Sequence, residues 1–414
     1  MSEFLSLVPP AKARELYLKK IIEVLELSTE TMPTVDSIGR VAAKDITAPH
    51  PLPAFTRATV DGYAVRAEDT YGAGESLPAY FKVVGEVKMG QPATINLLPM
   101  QAALIYTGGM LPADANAVVM IEHTQKISTD EIEIYKSVSA WENTILEGEE
   151  IQSGECVVTQ GQSIRAVEMG GLLALGITQV EVYRKPRVGI LSSGDEVVSP
   201  YQAILPGQVR DVNSYTLSAL VKACGGDPLP FGIIADDENK LREALHHLSS
   251  QCDMILITAG SSVSARDYTA RVIQEQGSPG VLVHGLNTRP GKPTILALCG
   301  KIPIIGLPGN PLSAYVIATH LVKPVIFTLQ GMRKFPFPNL RTARVTLNLS
   351  SQAGREDWIP AKLISTDEGW LAEPIFGKSN MILALARADG LICIPEDNTG
   401  ISAHEIVTVE LLDN

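Results

Sequence analysis

The chain lacks the features that mark secreted and membrane-spanning proteins. Its five cysteines are scattered, odd in number and free of any CxxC pair, which argues against a disulfide framework or zinc knuckle and predicts a reducing compartment with buried cysteines. The N-terminus has no basic segment followed by an apolar one, so no signal peptide is predicted. The nearest candidate for a membrane span, residues 314–329, is interrupted by His320, Lys323 and Pro324. We expect a cytoplasmic protein without membrane contact.

Positive charge and metal-binding histidine pairs are also scarce. The chain has 34 lysines and arginines against 46 aspartates and glutamates, which gives a net charge of -12. An acidic chain without a basic cluster is a poor nucleic-acid binder. His246 and His247 are adjacent and would diverge by about 100° on a helix, so they are unsuited to hold one metal together. An anion site here must be built from backbone N–H groups and a few placed cations.

Hydrophobic periodicity divides the first part of the chain. Residues 10–27 carry apolar residues at helical spacing and predict an amphipathic helix. A proline-rich stretch then begins a series of short strand-like runs, which predicts a β-rich insert over residues 48–146. After the insert, a strand–helix–strand pattern is expected to return to the N-terminal helix. The sequence therefore predicts a discontinuous N-terminal domain over residues 1–47 and 147–183.

Apolar strands and amphipathic helices alternate over residues 184–333. This alternation predicts a parallel sheet covered on both faces, that is, a three-layer α/β domain. Asp237 directly precedes one of the helices and is expected to cap it. Short strands return over residues 334–414 and predict a small β-barrel or sandwich. The expected fold class is multidomain α/β plus β, with a C-terminal β-barrel.

Acidic residues follow three of the predicted parallel strands. Glu196, Asp236 and Asp267 come after successive strands, and ligands of open parallel sheets bind at the carboxyl ends of their strands. Helix caps and solvated loop acids are the structural alternative, and that alternative suits Asp237. Glu196 and Asp267 each follow a turn of small residues that leaves room for a ligand, so we favour a functional role for the three acids.

The loop of residues 258–264 consists of small or polar residues and one valine. It lies between a predicted strand and a helix, so the N–H groups of Gly260, Ser261 and Ser262 suit an oxyanion or a phosphate. The loop is neither GxxxxGK[ST] nor GxGxxG, which argues against the usual ATP and NAD sites.

Two further loops in this region suit an anion. Residues 289–294 place Lys292 between two prolines in a stiff turn. Residues 306–315 end an apolar strand and start a helix at or near Pro311. Each loop has a plain interpretation as a rigid turn, but three such loops in one domain predict an anion site.

The β-insert holds two further candidate segments. Residues 55–65 contain Asp61 in an Asp-Gly dipeptide, and Thr107 stands beside two glycines in residues 107–122. Taken alone, Asp-Gly predicts only a hairpin turn.

Together these segments resemble the MoeA family of molybdopterin molybdenumtransferases, which includes the E domain of gephyrin. The segments follow the family's order over nearly the whole chain. VDGYAV is similar to the DGYA signature, and KPRVGILSSGDEVV is similar to PxVxIxSTGDEL. The other matching segments are TGGMLPADANAVVMIE, DVNSYTL, AGSSVSARDYT, RPGKPT, GLPGNPLSAY, GREDW and SNMILALARADGLICIP.

The resemblance implies an elongated homodimer whose cleft lies between the α/β molybdopterin-binding domain of one subunit and the insert of the other. It implies a reaction in which adenylylated molybdopterin and molybdate react, AMP leaves and molybdenum stays on the dithiolene. Mg²⁺ is the implied cofactor, and the adenylyltransferase that supplies the substrate is an implied partner.

The family's site acids match Asp61, Glu196, Asp236 and Asp267, and Glu150 stands where the family has a further aspartate. Of these, we expect Glu196, Asp236 and Asp267 to hold Mg²⁺, because magnesium takes one or two carboxylates together with phosphate oxygens.

Ligand-binding positions of the family match Thr107, Lys292 and Ser379. With the small-residue loop, Lys292 would supply the anion site that the charge of -12 makes necessary.

The chain departs from the family at several positions. Thr56 and Ala58 replace an acid and a serine before DGYA, and RxxGEDI is ILEGEEI here, with Glu150 in the acid position. Ala259 and Ser264 replace glycines of the small-residue loop. The alternatives left open are a non-catalytic paralogue that binds or delivers the pterin, a tungstate-using transferase and, least favoured, a scaffold.

Overall fold

The computed structural model describes residues 7–259 and 263–412, of which residues 263–267 are described by their backbone alone. The first part of the chain contains two α-helices and twelve strands among these described residues. They are α1 (Pro10–Val24), β1 (Thr29–Pro33), β2 (Ile46–Thr47), β3 (Arg57–Ala58), β4 (Gly62–Val65), β5 (Ala79–Glu86), β6 (Gln101–Ile105), β7 (Ala117–Met120), β8 (Thr124–Lys126), β9 (Glu131–Ile134), β10 (Thr144–Ile145), β11 (Cys156–Val158), α2 (Ala166–Ala174) and β12 (Gln179–Tyr183).

Strand pairing joins the segments on either side of the insert. β1 pairs antiparallel with β12, and β2 pairs antiparallel with β11. The side chains of Ile164, Leu172 and Val182 form a small core between them. The sequence predicted that the returning segment meets the N-terminal helix. In the structure it pairs instead with the two N-terminal strands.

Helix α1 packs in a different core. Proline at its first position suits a helix start, and the buried residues Ala13, Tyr17 and Ile21 recur at helical spacing. These three side chains belong to the core of the α/β region, where the Tyr17 hydroxyl donates a hydrogen bond to the Ala297 carbonyl at 2.9 Å. The predicted N-terminal segment is thus divided between two cores.

The insert is built on a six-stranded sheet in the order β7-β4-β6-β5-β9-β8. Its pairs are antiparallel except β5 with β6. Gly62 begins the inner strand β4, and a Cβ there would fall on the carbonyl oxygen of Val119, well inside contact distance. The Asp61-Gly62 pair therefore leads into a packed strand and is not the tip of a hairpin.

The α/β region follows, with a sheet in the order β16-β13-β17-β21-β20-β18. Its elements are β13 (Arg187–Ser193), β14 (Val197–Val198), β15 (Val209–Arg210), α3 (Asn213–Ala223), β16 (Asp227–Ile234), α4 (Glu238–Ser249), β17 (Met254–Ala259), α5 (Val263–Glu275), β18 (Pro279–His284), β19 (Thr288–Arg289), β20 (Ile295–Cys299), β21 (Ile302–Pro308), α6 (Pro311–Ile317) and α7 (Lys323–Leu329).

Two predictions for this region are confirmed, and one is corrected. Asp237 caps α4 by accepting hydrogen bonds from the backbone N–H groups of Asn239 and Lys240, and α6 starts at Pro311. The first four strands are parallel, but β20 runs antiparallel to both of its neighbours. Only Gly300 and Lys301 separate β20 from β21, and so short a connection permits antiparallel pairing alone.

A π-helical turn over Ala318–Val322 joins α6 to α7 into one helical segment, Pro311–Leu329. This segment is long and apolar enough to cross a membrane. From the sequence we had not expected this, because His320, Lys323 and Pro324 interrupt the apolar run. In the structure, 67% of its most apolar window is buried inside the protein, as in the core helix of a globular fold. Lys323 and Pro324 fall on the first turn of α7, where proline is tolerated.

The last part of the chain forms a closed five-stranded barrel, which decides between the barrel and the sandwich. β24, β25, β22, β28 and β26 pair in turn, and β26 pairs back with β24. The elements are β22 (Leu340–Val345), β23 (Leu349–Ser350), β24 (Glu356–Thr366), β25 (Gly369–Pro374), α8 (Ile382–Ala386), β26 (Gly390–Ile394), β27 (Gly400–Ile401) and β28 (Ile406–Leu411).

All five cysteines are free, but they are not all buried as we had expected. Cys224, Cys252 and Cys299 are buried, Cys393 is half-buried and Cys156 is exposed.

Gly62 offers a test of the insert's packing. We expect Gly62→Ala to lower the free energy of unfolding by about 1–3 kcal/mol, because the new methyl group overlaps backbone atoms of β7 that have little room to move. The matched control is Gly74→Ala in the same insert, where a Cβ would meet no atom within 4 Å. Urea unfolding of both variants measures the difference, and equal stability would contradict the close approach.

Candidate active site

The carboxyl ends of β16, β13 and β17 lie side by side at one rim of the α/β sheet. Asp236, just beyond β16, accepts hydrogen bonds from the Ser193 hydroxyl at 2.7 Å and the Tyr268 hydroxyl at 3.1 Å. Both bonds reach Oδ1, and none of the described residues binds Oδ2. Burial raises the pKa of Tyr268, and the nearby charges of Asp236 and Asp195 act in the same direction. Tyr268 therefore remains a proton donor to Asp236.

Asp195 is a rim acid that sequence reasoning missed. Its Oδ1 accepts a hydrogen bond from the backbone N–H of Asp236 at 3.2 Å. Glu196, the predicted acid, is exposed, and its backbone carbonyl accepts from Val209 where β14 pairs with β15. The segment SSGDEV contained the signal, because Asp195 is the acid nearer to the end of β13.

Buried hydroxyls lie at the end of the same strands. Ser192 is 2.9 Å from the Ser214 hydroxyl and 3.0 Å from the Thr258 hydroxyl. Beside them the Asn213 amide donates to the Gly309 carbonyl at 2.9 Å, while its buried Oδ1 accepts no hydrogen bond from a described residue. The rim thus combines acids with neutral polar groups, and sequence reasoning singled out none of these neutral groups.

Part of the predicted site falls outside the description. Gly260, Ser261 and Ser262 lie outside the described residues, and Asp267 is placed only by its backbone, on α5 directly after β17. Among the described residues, no three or more acidic, histidine or cysteine side chains form a group that could hold a metal ion. The predicted Mg²⁺ ligands Glu196, Asp236 and Asp267 therefore stay a prediction.

On the insert, Asp61 is held by Thr107. The Thr107 backbone N–H and hydroxyl donate to Asp61 Oδ1 at 2.8 and 2.9 Å. These bonds, led by the backbone one, lower the pKa of the exposed Asp61 carboxyl. Thr107 therefore keeps Asp61 ionised and oriented. Neither Asp61 nor the exposed Glu150 makes a hydrogen bond or ion pair to an acid-bearing loop of the α/β region, as far as the described residues show.

A cavity of about 1000 Å³ brings Lys292 and Ser379 together. It lies between the loop before β20, the start of α6 and the barrel strand β24. Ser379 is tied to the start of α6, because its hydroxyl accepts from the Asn310 amide at 2.9 Å and its carbonyl accepts from the Leu312 N–H at 3.1 Å. Further polar residues around the cavity are Arg289, Ser313, Arg355 and Lys378.

The cavity carries an excess of positive charge. Arg355 is neutralised by buried Asp357, whose two carboxylate oxygens accept from its guanidinium at 2.6 and 2.9 Å. In contrast, Arg289, Lys292 and Lys378 have no acidic side chain within 4.0 Å among the residues that the structure describes. Three cations on one cavity of a protein with a net charge of -12 suit an anion. Sequence reasoning missed Arg289 and Arg355, although they stand in RPGKPT and GREDW.

Family models match three successive parts of the chain. Residues 8–176 match the MoeA N-terminal region (domain I and II). Residues 189–328 match the probable molybdopterin binding domain, and residues 342–412 match the MoeA C-terminal region (domain IV).

Individual relatives agree with the models. The molybdopterin molybdenumtransferase of Nostoc sp. is 32% identical over 376 residues, 90% of this chain and 86% of that protein. The Bacillus subtilis enzyme of the same name is 32% identical over 400 residues, 93% and 90% of the two chains. The solved structure of the molybdopterin biosynthesis MoeA protein from Pyrococcus horikoshii aligns with a TM-score of 0.83 and 30% identity, covering 98% of this chain and all of that one. These matches show that the chain belongs to the MoeA family of molybdopterin biosynthesis proteins.

Proposed function

We propose that this protein is a molybdopterin molybdenumtransferase, which inserts molybdate into adenylylated molybdopterin and releases AMP. The observation that carries the proposal is the cationic cavity around Lys292 and Ser379, in the same α/β region as the acid-lined rim. The name that the Nostoc and Bacillus relatives bear supports the same reaction. We also propose that the protein acts in the cytoplasm.

The two polar sites suit two parts of the reaction. The oxyanion molybdate fits the cavity, where Arg289 and Lys292 neutralise charge and the hydroxyls of Ser313 and Ser379 donate hydrogen bonds. At the rim, the oxygen of a water molecule would add to phosphorus as the bridging P–O bond of the phosphoanhydride breaks, so that AMP leaves and the pterin keeps its own phosphate. The protons of the water pass to the two phosphates or to solvent, and the negative charge that develops at phosphorus must be balanced.

Mg²⁺ fits the donors at the rim. Asp195 and Asp236 offer only oxygen ligands, and no described residue binds Asp236 Oδ2, which suits a hard cation that keeps most of its waters. We infer that Asp195 joins the predicted ligands Glu196, Asp236 and Asp267. When bound, Mg²⁺ would neutralise phosphate charge, while Ser193 and Tyr268 hold the Asp236 carboxylate in place.

The insert acids require a second subunit in this proposal. Within one chain, the described bonds of the Asp61 carboxylate go to Thr107 alone, and the Glu150 carboxylate makes none to a described residue. Exposed acids that bind none of the described residues of the α/β region suit a cleft completed by the partner of a homodimer.

The second candidate is a binding module that holds or delivers the pterin without turnover. The observation that favours it is the exposed Glu150, whose carboxylate binds no described residue, in the segment where the family's aspartate is replaced. Binding of the adenylylated pterin without AMP release would support this candidate.

AMP release tests the function directly. We expect the protein with adenylylated molybdopterin, Mg²⁺ and molybdate to release AMP, and excess EDTA to stop it. Lys292→Ala should raise the KM for molybdate about 10- to 100-fold, because a charge-assisted contact worth about 1.5–3 kcal/mol is lost. Lys362→Ala, an exposed lysine on β24 that does not line the cavity, is the matched control. Equal KM values for the two variants would exclude Lys292 from the oxyanion site.

Thr107 should set the acid side of the pH profile. The Asp61 pKa is lowered in the folded protein, so its carboxylate is present above that pKa and is lost as the pH falls through it. Thr107→Ala removes the hydroxyl bond and leaves the backbone bond, so the acid limb of activity should move partly toward higher pH. Thr107→Ser keeps both bonds and serves as the control. An unchanged limb in Thr107→Ala would show that Asp61 ionisation does not limit turnover.

Mixed dimers test the shared cleft. Asp61→Ala and Asp267→Ala should each be inactive alone. After subunit exchange, a mixed dimer has one cleft with both lesions and one with neither, so roughly a quarter of wild-type activity should return. A site contained in one chain predicts no recovery, and a monomer in sedimentation would also contradict the proposal.

A further inference from the structure

A second cavity, of about 900 Å³, takes no part in the proposed reaction. It lies where the N-terminal strands, the α/β region and the barrel meet, between α1, the end of α3, α7 and the barrel strand β28. Cavities of about 300–1000 Å³ at the meeting of domains are typical sites for small molecules. Its position and size are therefore those of a site for a small molecule.

Positive charge dominates its lining. Five cationic side chains face one acid, Glu410, in a protein where acids outnumber cations by 46 to 34. The cations are Arg14, Arg40, Lys185, Lys222 and Lys323. Arg40 is engaged by Glu30 and by the Tyr183 carbonyl. Arg14, Lys185 and Lys222 have no acidic side chain within 4.0 Å among the described residues, so their charges are open to an anion in the cavity.

Aromatic rings occupy another part of the same wall. Phe327 and Phe335 pack with ring centres 5.6 Å apart, and Phe337 is 96% exposed. Pro336 and Pro338 flank Phe337 and restrict the backbone on both sides of it. An exposed aromatic ring on a stiff segment is well suited to stack on a flat ligand, because covering it removes apolar surface from water.

His320 also lines the cavity. It lies in the π-helical turn between α6 and α7, and such turns are frequent at functional sites. The imidazole stacks on Trp358 with ring centres 4.0 Å apart, and no residue in the described part of the chain forms a hydrogen bond with its buried Nε2. Burial, with the nearby charges of Arg14 and Lys323, lowers the His320 pKa to about 3, so the ring stays neutral near pH 7.

We propose that this cavity binds a phosphorylated ligand with a planar aromatic ring. The phosphate would contact Arg14, Lys185 and Lys222, and the ring would cover Phe335 and Phe337. A nucleoside monophosphate and a pterin monophosphate share this chemistry. A simple anion would contact only the cations, and an uncharged aromatic molecule would contact only the rings. A phosphorylated ligand with an aromatic ring contacts both.

Isothermal titration of the full chain carrying Lys292→Ala tests the proposal, because that variant lacks a central cation of the other cavity. The probes are AMP, a pterin monophosphate, adenosine and inorganic phosphate. We expect at least one of the two ring phosphates to bind about tenfold or more tightly than adenosine and phosphate do. The tighter of AMP and the pterin phosphate identifies the source of the ligand.

Variants of exposed residues locate the bound probe. In the same background, the double change Lys185→Ala with Lys222→Ala, and separately Phe337→Ala, should weaken binding about tenfold or more. Lys19→Ala, an exposed lysine on α1 outside the cavity, should not. Thermal unfolding checks that each variant is folded. Binding equal to the Lys292→Ala parent in both cavity variants, or ring phosphates no tighter than adenosine, would overturn the proposal. Because the readout is binding, failure of molybdate insertion would not affect it.

Discussion

Parallel pairing of β13 with β17, and of β17 with β21, is the constraint on which the candidate site depends. The register sets Ser192 opposite Thr258, and Thr258 opposite Leu307. All three strands therefore end at one level, and the loops that follow them open toward the same side. That register brings the acids after β13, the backbone of α5 and the start of α6 to this side, and the parallel pairing of β16 with β13 brings Asp236 there as well. A shift by one residue would turn each strand-end side chain to the other face.

Charge is the second constraint. A chain with a net charge of -12 repels anions, so the cations that face the two cavities described above must be concentrated locally. In each cavity the cations come from segments far apart in the chain, such as Lys292 before β20 and Lys378 after β25. Their convergence follows from the packing of the barrel and the N-terminal strands against the α/β region. This arrangement gives an acidic protein two cationic cavities without a basic run in its sequence.

Much of the local structure could be predicted from short stretches of sequence. The Asp237 cap and the helix start at Pro311 were predictable because capping and proline placement depend on a few neighbouring residues. The sequence order of strands and helices in the α/β region was predictable for the same reason. The antiparallel direction of β20 was missed, although the two-residue turn at Gly300 and Lys301 contained the signal. Asp195 was missed because two adjacent acids after a strand look alike in sequence.

By itself, the sequence determined the order of the elements, the loops that carry acids and the motifs of the family, because each depends on periodicity or spacing within a few turns of chain. Tertiary structure alone decided that α1 packs under the α/β sheet, that five strands close into a barrel and that Lys292 meets Ser379 in one cavity. It also decided that Thr107 binds the Asp61 carboxylate. These outcomes depend on contacts between residues distant in the chain, and such contacts form only where the packing of several elements makes them favourable together.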